Sequence, residues 1–565
     1  MLWVEVEMNK IRGKMKRNTF SFSMMLLLFS INLYAQQTNN LQVIWQKTSP
    51  DSVIAYGRCI ASGDVNGDGY TDIMIVGDSI VGQDTYIINE YRGKCWVYFG
   101  GINIDTISDI QLLNTQRYTF FSLHSCDING DGHNDVIIGA CNNLPSEEVL
   151  IFTQFIQVQI MDSTPDYILR GPYRGSGFGA TISSGDLNGD GYSDLIIGAP
   201  GISISPVGEL AGRVYIYFGG PNFDTIPDVI LNGGHNNMAE NFGQDIGISA
   251  DCNNDGYEDA IIGALAFGAW QGRMYIYYGG NPMNTIADVT LTGEGPSQHL
   301  TWGAISSLRN SVGFDYALCG TPFWPHGWAT DNPGKIYILF GGNPMDSIPD
   351  VCMIGRMEAS ALSTSLSRAG YITGSLFDGI ISGAPQEPGN YSGCTYIWQG
   401  EPNLDTIPNA WIGGQQNNGI GWYVTSAGDV NGDNKDEFMV SSYAGWPMKI
   451  WVCKYTGVGV EENRQRLSAV RLPLKVYPNP VKTNLAIRIP LSADRIGIKI
   501  YDVAGKAVKV IEARSRRQEA GENEISWDLR DENNKKVANG IYFVELVVEQ
   551  DNENIREISK IVITK

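Results

Sequence analysis

The chain has 565 residues, and its 61 acidic and 40 basic side chains give it a formal net charge of −21. A surface this acidic repels a phosphate backbone, so we expect no nucleic-acid partner. The nine cysteines are odd in number and include no Cys-x-x-Cys pair, which argues against both a dense disulfide framework and a zinc site.

The N-terminal segment has the pattern of a secretory signal peptide. A basic stretch between Lys10 and Arg17 precedes an apolar run over Met24–Phe29, and a small residue, Ala35, follows at the expected cleavage point. We therefore predict a signal peptide over residues 1–35. Because its apolar core is shorter than the ~20 residues of a membrane span, we expect no transmembrane anchor.

An acidic segment of nine residues recurs along the chain at intervals of roughly 60 residues. Each copy precedes an apolar run that ends in small residues, such as Leu195–Pro200. Two further copies lack the acidic segment but keep the ending, at Cys319–Pro322 and Ser382–Pro385, so there are seven repeats. The acidic segments are Asp64–Asp72, Asp127–Asp135, Asp186–Asp194, Asp251–Asp259 and a variant, Asp429–Glu437.

A second recurring feature is a Tyr-rich run in which side chains of two kinds alternate. In several repeats it ends in two glycines, as in Arg213–Gly220. Alternation with period two is typical of strands. Each repeat then contains four strands and no helix, which predicts an all-β chain with a seven-bladed β-propeller over residues 36–456. The last repeat lacks its fourth strand, and we expect residues 42–46 to supply it and close the ring.

The acidic segments have the ligand spacing of calcium loops. Side-chain oxygens stand at positions 1, 3, 5 and 9, a backbone carbonyl at position 7 adds another, and hard oxygen donors suit Ca²⁺. We predict four calcium sites, and a fifth in the variant segment. The predicted ligands are Asp64, Asn66, Asp68, Tyr70, Asp72; Asp127, Asn129, Asp131, His133, Asp135; Asp186, Asn188, Asp190, Tyr192, Asp194; Asp251, Asn253, Asp255, Tyr257, Asp259; and Asp429, Asn431, Asp433, Lys435, Glu437.

Two other interpretations agree less well with the segments. An EF-hand needs a glutamate at position 12 and a following helix, whereas position 12 here is an apolar strand residue such as Ile75 or Ile197. An acidic turn without metal would leave several carboxylates to repel one another in every copy. Repetition of the loop favours a structural rather than a catalytic ion.

These motifs resemble FG-GAP repeats, the units of the integrin α-subunit propeller. Phe178-Gly179 with Gly198–Pro200, and Phe242-Gly243 with Gly263-Ala264, match the two halves of the motif, and the acidic segment lies between them. The resemblance covers about residues 40–456. It implies calcium in hairpin loops on one face and a partner on the other, hence adhesion or ligand binding.

Residues 457–471 form a predicted linker, and residues 472–565 a separate β module. Val476–Pro480, Ile500–Gly505 and Lys560–Lys565 resemble the C-terminal sorting domain of the type IX secretion system. Trp527-Asp528 instead resembles the immunoglobulin-like domain of flagellar hook-capping proteins, and both resemblances imply a small immunoglobulin-like β-sandwich. The first resemblance implies a partnership with the secretion machinery and a secreted or bacterial cell-surface location.

No catalytic constellation is recognisable, so we predict a binding protein rather than an enzyme, with an extracellular protein or glycan as ligand. Aromatic rings that stack on sugars or anchor partners are the recognition candidates. The alternative function is a carbohydrate-active propeller, a calcium-dependent polysaccharide lyase or hydrolase. The aromatic candidates are Phe323, Trp324, His326, Trp328, Trp270, Trp422 and Trp446.

Overall fold

The structure is a computed structural model, and the residues it describes fall into two compact units, those up to 456 and those from 475. The predicted signal peptide and linker lie outside them. Among the described residues, no helix has the length and apolarity needed to cross a membrane. The described residues are 36–37, 41–50, 53–81, 90–113, 119–141, 147–153, 164–203, 211–233, 240–247, 249–310, 314–325, 332–355, 361–373, 377–386, 393–400, 404, 406, 408–413, 419–442, 448–456, 475–477, 485–489, 495–502, 507–513, 523–532, 534–550 and 553–563.

Two strands, β1 (Gln36–Gln37) and β2 (Leu41–Thr48), precede the first blade. The first three blades are β3 (Val53–Gly63), β4 (Asp72–Val81), β5 (Glu90–Tyr98), β6 (Ile110–Leu113); β7 (Thr119–Cys126), β8 (Asp135–Cys141), β9 (Glu148–Phe152), β10 (Tyr167–Arg170); and β11 (Ile182–Gly185), β12 (Asp194–Ala199), β13 (Arg213–Tyr217), β14 (Val229–Asn232). Each blade is one antiparallel sheet in chain order.

Blades four to six repeat this order, and blade four also contains a four-residue turn, α1 (Phe267–Trp270). Their strands are β15 (Phe242–Ile246), β16 (Ala260–Ala264), β17 (Arg273–Tyr277), β18 (Val289–Thr292); β19 (Ile305–Leu308), β20 (Tyr316–Thr321), β21 (Lys335–Phe340), β22 (Val351–Ile354); and β23 (Ser365–Gly370), β24 (Gly379–Ala384), β25 (Cys394–Trp398), β26 (Ala410–Gly413). Blade seven begins with β27 (Ile420–Gly428), β28 (Glu437–Ser442) and β29 (Lys449–Tyr455).

The ring closes through the N-terminal strand. β2 pairs antiparallel with β29, from Leu41 opposite Tyr455 to Thr48 opposite Lys449, and supplies the outer strand of blade seven. The prediction for residues 42–46 is confirmed, and the strand extends further at both ends. Closure covers a sheet edge that would otherwise be open to another chain. β1 pairs with β26 and adds a fifth strand to blade six.

The second strand of each repeat is buried on both faces because it lies between neighbouring blades. All six residues of β12 are buried. Phe242, which is 0% exposed, packs with Ile196 and Ile216 of blade three and with Ile262 of its own blade. Apolar surface buried on both sides explains why these runs lack the polar alternation of a half-exposed strand.

The two halves of the FG-GAP motif meet across the blade interfaces. Gly243 has a φ of 83°, which favours glycine, and its carbonyl lies against Gly198 of blade three, where a Cβ would overlap it. Thr181 Oγ1 donates to the same carbonyl at 2.9 Å. The Gly179 carbonyl lies in the same way against Gly139 of blade two. The motif therefore recurs because each blade docks on the one before it.

The described strands of the C-terminal unit form two antiparallel sheets. One consists of β30 (Lys475–Tyr477), β31 (Leu485–Ile489) and β34 (Asn523–Trp527), and the other of β33 (Ala507–Ala513), β32 (Arg495–Asp502), β35 (Gly540–Gln550) and β36 (Glu553–Ile563). Trp527 is buried, and its Nε1 donates to the Arg530 carbonyl at 2.8 Å. The eight cysteines whose side chains are described are free thiols.

Candidate metal loops and binding surface

The five acidic segments connect the first and second strands of blades one, two, three, four and seven, and we name them loops one, two, three, four and seven. In loop three, the carboxylate of Asp186 at position 1 accepts three backbone hydrogen bonds. Its Oδ1 accepts the N–H groups of Gly189 and Asp190 at 2.8 and 3.0 Å, and its Oδ2 accepts that of Gly191 at 2.9 Å. Loops one and two repeat all three hydrogen bonds.

Positions 3, 5 and 7 continue the turn. The Asn188 amide donates to Asp190 Oδ2 at 3.0 Å and accepts the Asp190 N–H at 2.9 Å, and the Tyr192 N–H donates to Asp190 Oδ1 at 3.0 Å. Gly189 and Gly191 have φ values of 74° and 87°, where a side chain is strained. The glycines at positions 4 and 6 therefore let the chain curl tightly enough to place three oxygen-bearing side chains together.

The carboxylate at position 9 lies beneath the loop. Asp194 is 0% exposed, its Oδ2 accepts the Leu187 N–H at 2.8 Å, and its Oδ1 accepts the Gly219 N–H at 2.9 Å. Burial raises the pKa of Asp194 to about 7, and repulsion from Asp190 adds to the rise. The pKa of Asp72 rises to about 7 for the same reasons. The carboxylates of one loop thus lie close enough to repel one another.

The donor set fits a hard cation. The predicted ligand atoms of each loop are carboxylate, amide and carbonyl oxygens, the hard donors that Ca²⁺ prefers. Within the described part of the chain, no three His, Cys, Asp or Glu side chains converge at metal-binding distance. In loop three, the three such side chains are Asp186, Asp190 and Asp194, and Asp194 at position 9 accepts backbone N–H groups with both of its oxygens.

Each loop is also joined to its neighbour by backbone hydrogen bonds. The second glycine of the Tyr-rich strand, Gly220 in blade three, donates its N–H to the Ile128 carbonyl at position 2 of loop two, at 2.7 Å. Position 8 of loop four, Glu258, donates its N–H to the Asp186 carbonyl at 2.9 Å. Gly101 makes the same bond to Val430 at 2.8 Å, which continues the series across the ring closure.

Side chains at positions 7 and 8 strengthen the joints between loops. A Cβ on Gly189 would lie 2.6 Å from the ring of Tyr257, which covers position 4 of the preceding loop. Glu258 Oε2 accepts the Asp186 N–H at 3.1 Å and the Ser249 hydroxyl at 2.8 Å. His133 and the tyrosines at position 7 therefore have a packing role besides the predicted carbonyl donation. An ion in one loop would act directly on a blade interface.

A cluster of aromatic rings lies at the other end of the propeller, because successive turns of an antiparallel sheet alternate between its ends. The aromatic cluster comprises Trp270, His299, Trp302 and Phe323. The His299 ring centroid lies 5.4 Å from that of Trp270, 5.4 Å from Trp302 and 5.2 Å from Phe323. His299 is buried, whereas Trp270 remains 45% exposed. The cluster presents one indole to solvent on a rigid base.

The backbone around the cluster is strained. Ala269 and Trp270 in α1 have φ values of 60° and 64°, and Ser297, His299 and Thr301 have values of 57°, 55° and 77°. Residues with side chains adopt such conformations at a cost on the order of 1–3 kcal/mol each, and such strain concentrates at functional sites. A group of five at one place marks this surface as a candidate binding site.

Two polar groups border the aromatic cluster. Trp324 Nε1 donates to Glu294 Oε2 at 2.8 Å, and Lys335 Nζ contacts Glu294 Oε1 at 2.5 Å. Asp245 Oδ2 accepts the N–H of Gly303, the residue after Trp302, at 2.9 Å. Burial raises the pKa of Asp245 to about 7. The cluster thus has a carboxyl group and an ion pair among its neighbours.

The structure brings together only part of the predicted aromatic set. Phe323 and Trp270 belong to the cluster and Trp324 borders it, whereas His326, Trp328 and Trp446 lie outside the described residues. Trp422 lies on β27 in blade seven. Sequence reasoning did not include His299, Trp302 or Asp245, because the left-handed backbone that gathers them has no sequence signal outside glycine.

Comparison with known proteins identifies two families. The FG-GAP repeat model matches residues 178–217, which include Phe178-Gly179 and Gly198–Pro200. The model of the secretion system C-terminal sorting domain matches residues 475–564. The second match favours the sorting-domain interpretation of the tail.

Integrins are among the relatives. Integrin alpha-7 of Rattus norvegicus is 36% identical over 157 residues, 28% of this chain and 12% of that protein. Integrin alpha-5 of Xenopus laevis is 33% identical over 199 residues, 32% of this chain and 18% of that protein. The chain therefore matches less than a fifth of the length of either.

A phosphatidylinositol-glycan-specific phospholipase D of Mus musculus is 30% identical over 180 residues, 30% of this chain and 21% of that protein. The solved structure of PorZ, a surface component of the type IX secretion system of Porphyromonas gingivalis, is matched over 87% of this chain and 58% of that chain, at 11% identity and a TM-score of 0.34. The chain therefore contains a seven-bladed β-propeller with an FG-GAP repeat at residues 178–217, and a type IX secretion system sorting domain at residues 475–564 that indicates export to the cell surface or secretion.

Proposed function

We propose that this exported propeller is a calcium-stabilised binding module, with ions at one end and a recognition surface at the other. The sorting domain delivers it outside the cell, where calcium is available to the loops. The propeller then presents the aromatic cluster on a rigid frame, and the ligand is an extracellular glycan or protein.

One observation carries the calcium part of the proposal. The carboxylate at position 1 accepts the same three backbone hydrogen bonds in loops one, two, three and seven, and loops one to four repeat the hydrogen bonds among positions 3, 5 and 7. Identical loops with several carboxylates each need a positive charge to offset their repulsion. Calcium bound to them would hold neighbouring blades together through the bonds between loops.

The recognition part rests on Trp270. Its exposed indole is held by His299 beneath it and by a strained turn, so a ligand would meet a preformed surface. A flat aromatic face beside polar groups suits the apolar face and hydroxyls of a sugar ring. We therefore favour a glycan as the ligand.

A second function is supported by Asp245. A carboxyl group with a pKa near neutrality beside an aromatic surface could exchange protons with a bound sugar. This would make the propeller a carbohydrate-active enzyme, a lyase or hydrolase. The same ligands that test binding also test this alternative, because turnover releases shorter products.

Substituting Trp270 with alanine should abolish glycan binding and leave the fold intact. The side chain is half exposed, so the free energy of unfolding should change by less than about 1 kcal/mol, whereas stacking on the ligand is lost. The measurement is binding of the mature protein to a glycan array, followed by calorimetry with any positive glycan. Product analysis of the same mixtures reports turnover.

Ile286→Ala serves as the control, since Ile286 is 76% exposed in a turn at the end that carries the acidic loops. It should bind like the unmodified protein. If Trp270→Ala still binds glycans, the aromatic cluster is not the recognition surface. If shortened glycans appear in the mixtures, the propeller is a carbohydrate-active enzyme rather than a binding module.

A further inference from the structure

Loop seven differs from the other acidic loops because a basic side chain of the protein itself reaches it. Lys454 Nζ forms an ion pair with Asp433 Oδ2 at position 5. Of the ion pairs found among the described residues, no other places a basic side chain on a predicted ligand carboxylate. Loops one to four have no such partner within that part of the chain.

The difference can be traced to a single matched position. Cys453 pairs with Phe438, the residue after position 9, as Tyr217 pairs with Leu195 in blade three. Lys454 therefore occupies the place of Phe218 in blade three. By the same pairing, the equivalent residues of blades one, two and four are Phe99, Thr153 and Tyr278. Blade seven alone among these five has a cationic side chain here.

The ligand side chains of loop seven are rearranged around this contact. In loops one to four, the asparagine at position 3 donates to the carboxylate at position 5, at 2.8–3.0 Å. In loop seven, Asn431 Nδ2 donates instead to Glu437 Oε1 at 2.6 Å. Position 6 is Asn434, with a φ of 64°, where the other four loops have glycine.

We propose that the Lys454 ammonium supplies to loop seven the positive charge that loops one to four take from calcium. Blade seven then closes without an ion, and the protein binds four calcium ions rather than five. This inference rests on the proposed calcium function. It also explains why Asn431 donates to Glu437 instead: Lys454 contacts Asp433 Oδ2, the oxygen to which the asparagine at position 3 would otherwise donate.

An internal charge suits the position of blade seven in the ring. Lys454 lies on β29 opposite Gln42 of β2, the strand that closes the propeller. Because the Lys454 ammonium is part of β29, pairing of this strand within blade seven is enough to neutralise the Asp433 carboxylate, and loop seven needs no calcium. The closing blade is therefore insensitive to chelators, whereas the interfaces of blades one to four are not.

The test counts the ions bound to four proteins, in excess of those in the dialysate, after dialysis against trace-metal-free buffer with millimolar calcium. Plasma emission spectrometry should find four calcium ions in the unmodified protein and five in Lys454→Met, which keeps side-chain length without charge. Lys449→Met, at the start of the same strand, is the control and should hold four. A Lys454→Met/Asn434→Gly variant also restores the glycine of the other loops.

The outcomes separate the two proposals. Five ions in the unmodified protein would overturn the role of Lys454 and leave the calcium function standing, and so would four in both Lys454 variants. A protein without calcium would contradict the calcium function. Melting in EDTA tests the lysine independently: Lys454→Met should melt below Lys449→Met, and equal melting would mean that the ammonium does not stabilise loop seven.

Discussion

Replacing Phe242 with alanine is expected to destabilise the propeller by about 3–5 kcal/mol, the usual cost of emptying a buried aromatic site. Phe242 is fully buried between blades three and four, and its ring centroid lies 5.5 Å from that of Tyr275. The cavity would open at the interface where Gly243 docks on Gly198. Urea denaturation of the mature protein, followed by tryptophan fluorescence, measures the loss.

Phe121→Ala is the matched control for this substitution. Phe121 is 43% exposed on β7, so the same change of residue removes little buried surface and should cost under about 1 kcal/mol. Similar losses for the two variants would mean that the FG-GAP phenylalanine is not an anchor between blades.

Asp186→Asn is expected to lower stability in calcium by about 2–3 kcal/mol, the contribution of one ion at 100 times its dissociation constant. The amide oxygen of the asparagine can still accept the N–H groups of Gly189 and Asp190, whereas the hydrogen bond from Gly191 and the charge that binds the ion are lost. In EDTA the loss of stability should be smaller, because only the hydrogen bond is lost and one repelling carboxylate has been removed. Thermal unfolding in both buffers gives the comparison.

Asp224→Asn controls for the loss of a carboxylate alone. Asp224 accepts the Ile226 N–H in an exposed turn and belongs to no acidic loop. It should melt like the unmodified protein in both buffers. If Asp186→Asn lowers the melting temperature equally with and without calcium, loop three contributes hydrogen bonds rather than a metal site.

The propeller could be predicted from the sequence because each blade carries the same landmarks at nearly the same spacing. The pairing of β2 with β29 followed from a simpler fact, that repeat seven ended one strand short and an unassigned apolar strand lay at the other end. The hydrogen bond from the Gly220 N–H to the Ile128 carbonyl explains why the glycine pair and the acidic loop recur together in the sequence. Both are needed because they join neighbouring blades.

The candidate sites were predictable only in part. The turn glycines predicted the backbone conformation of the acidic loops. Lys454, however, lies 21 residues from Asp433 in the sequence, and only the pairing of strands brings its ammonium to loop seven. The aromatic cluster depends on left-handed backbone conformations at Trp270 and His299. Tryptophan and histidine rarely adopt these conformations, so the sequence does not predict them. Long-range pairing and strained turns are properties of the folded chain.

The most direct test of the account is thermal unfolding of the mature protein in millimolar calcium and again after EDTA and dialysis. Four ions at 100 times their dissociation constants would together contribute roughly 11 kcal/mol, so the chelated protein should melt far lower and recover when calcium is restored. Equal melting temperatures in the two buffers, with no calcium in the purified protein, would contradict it.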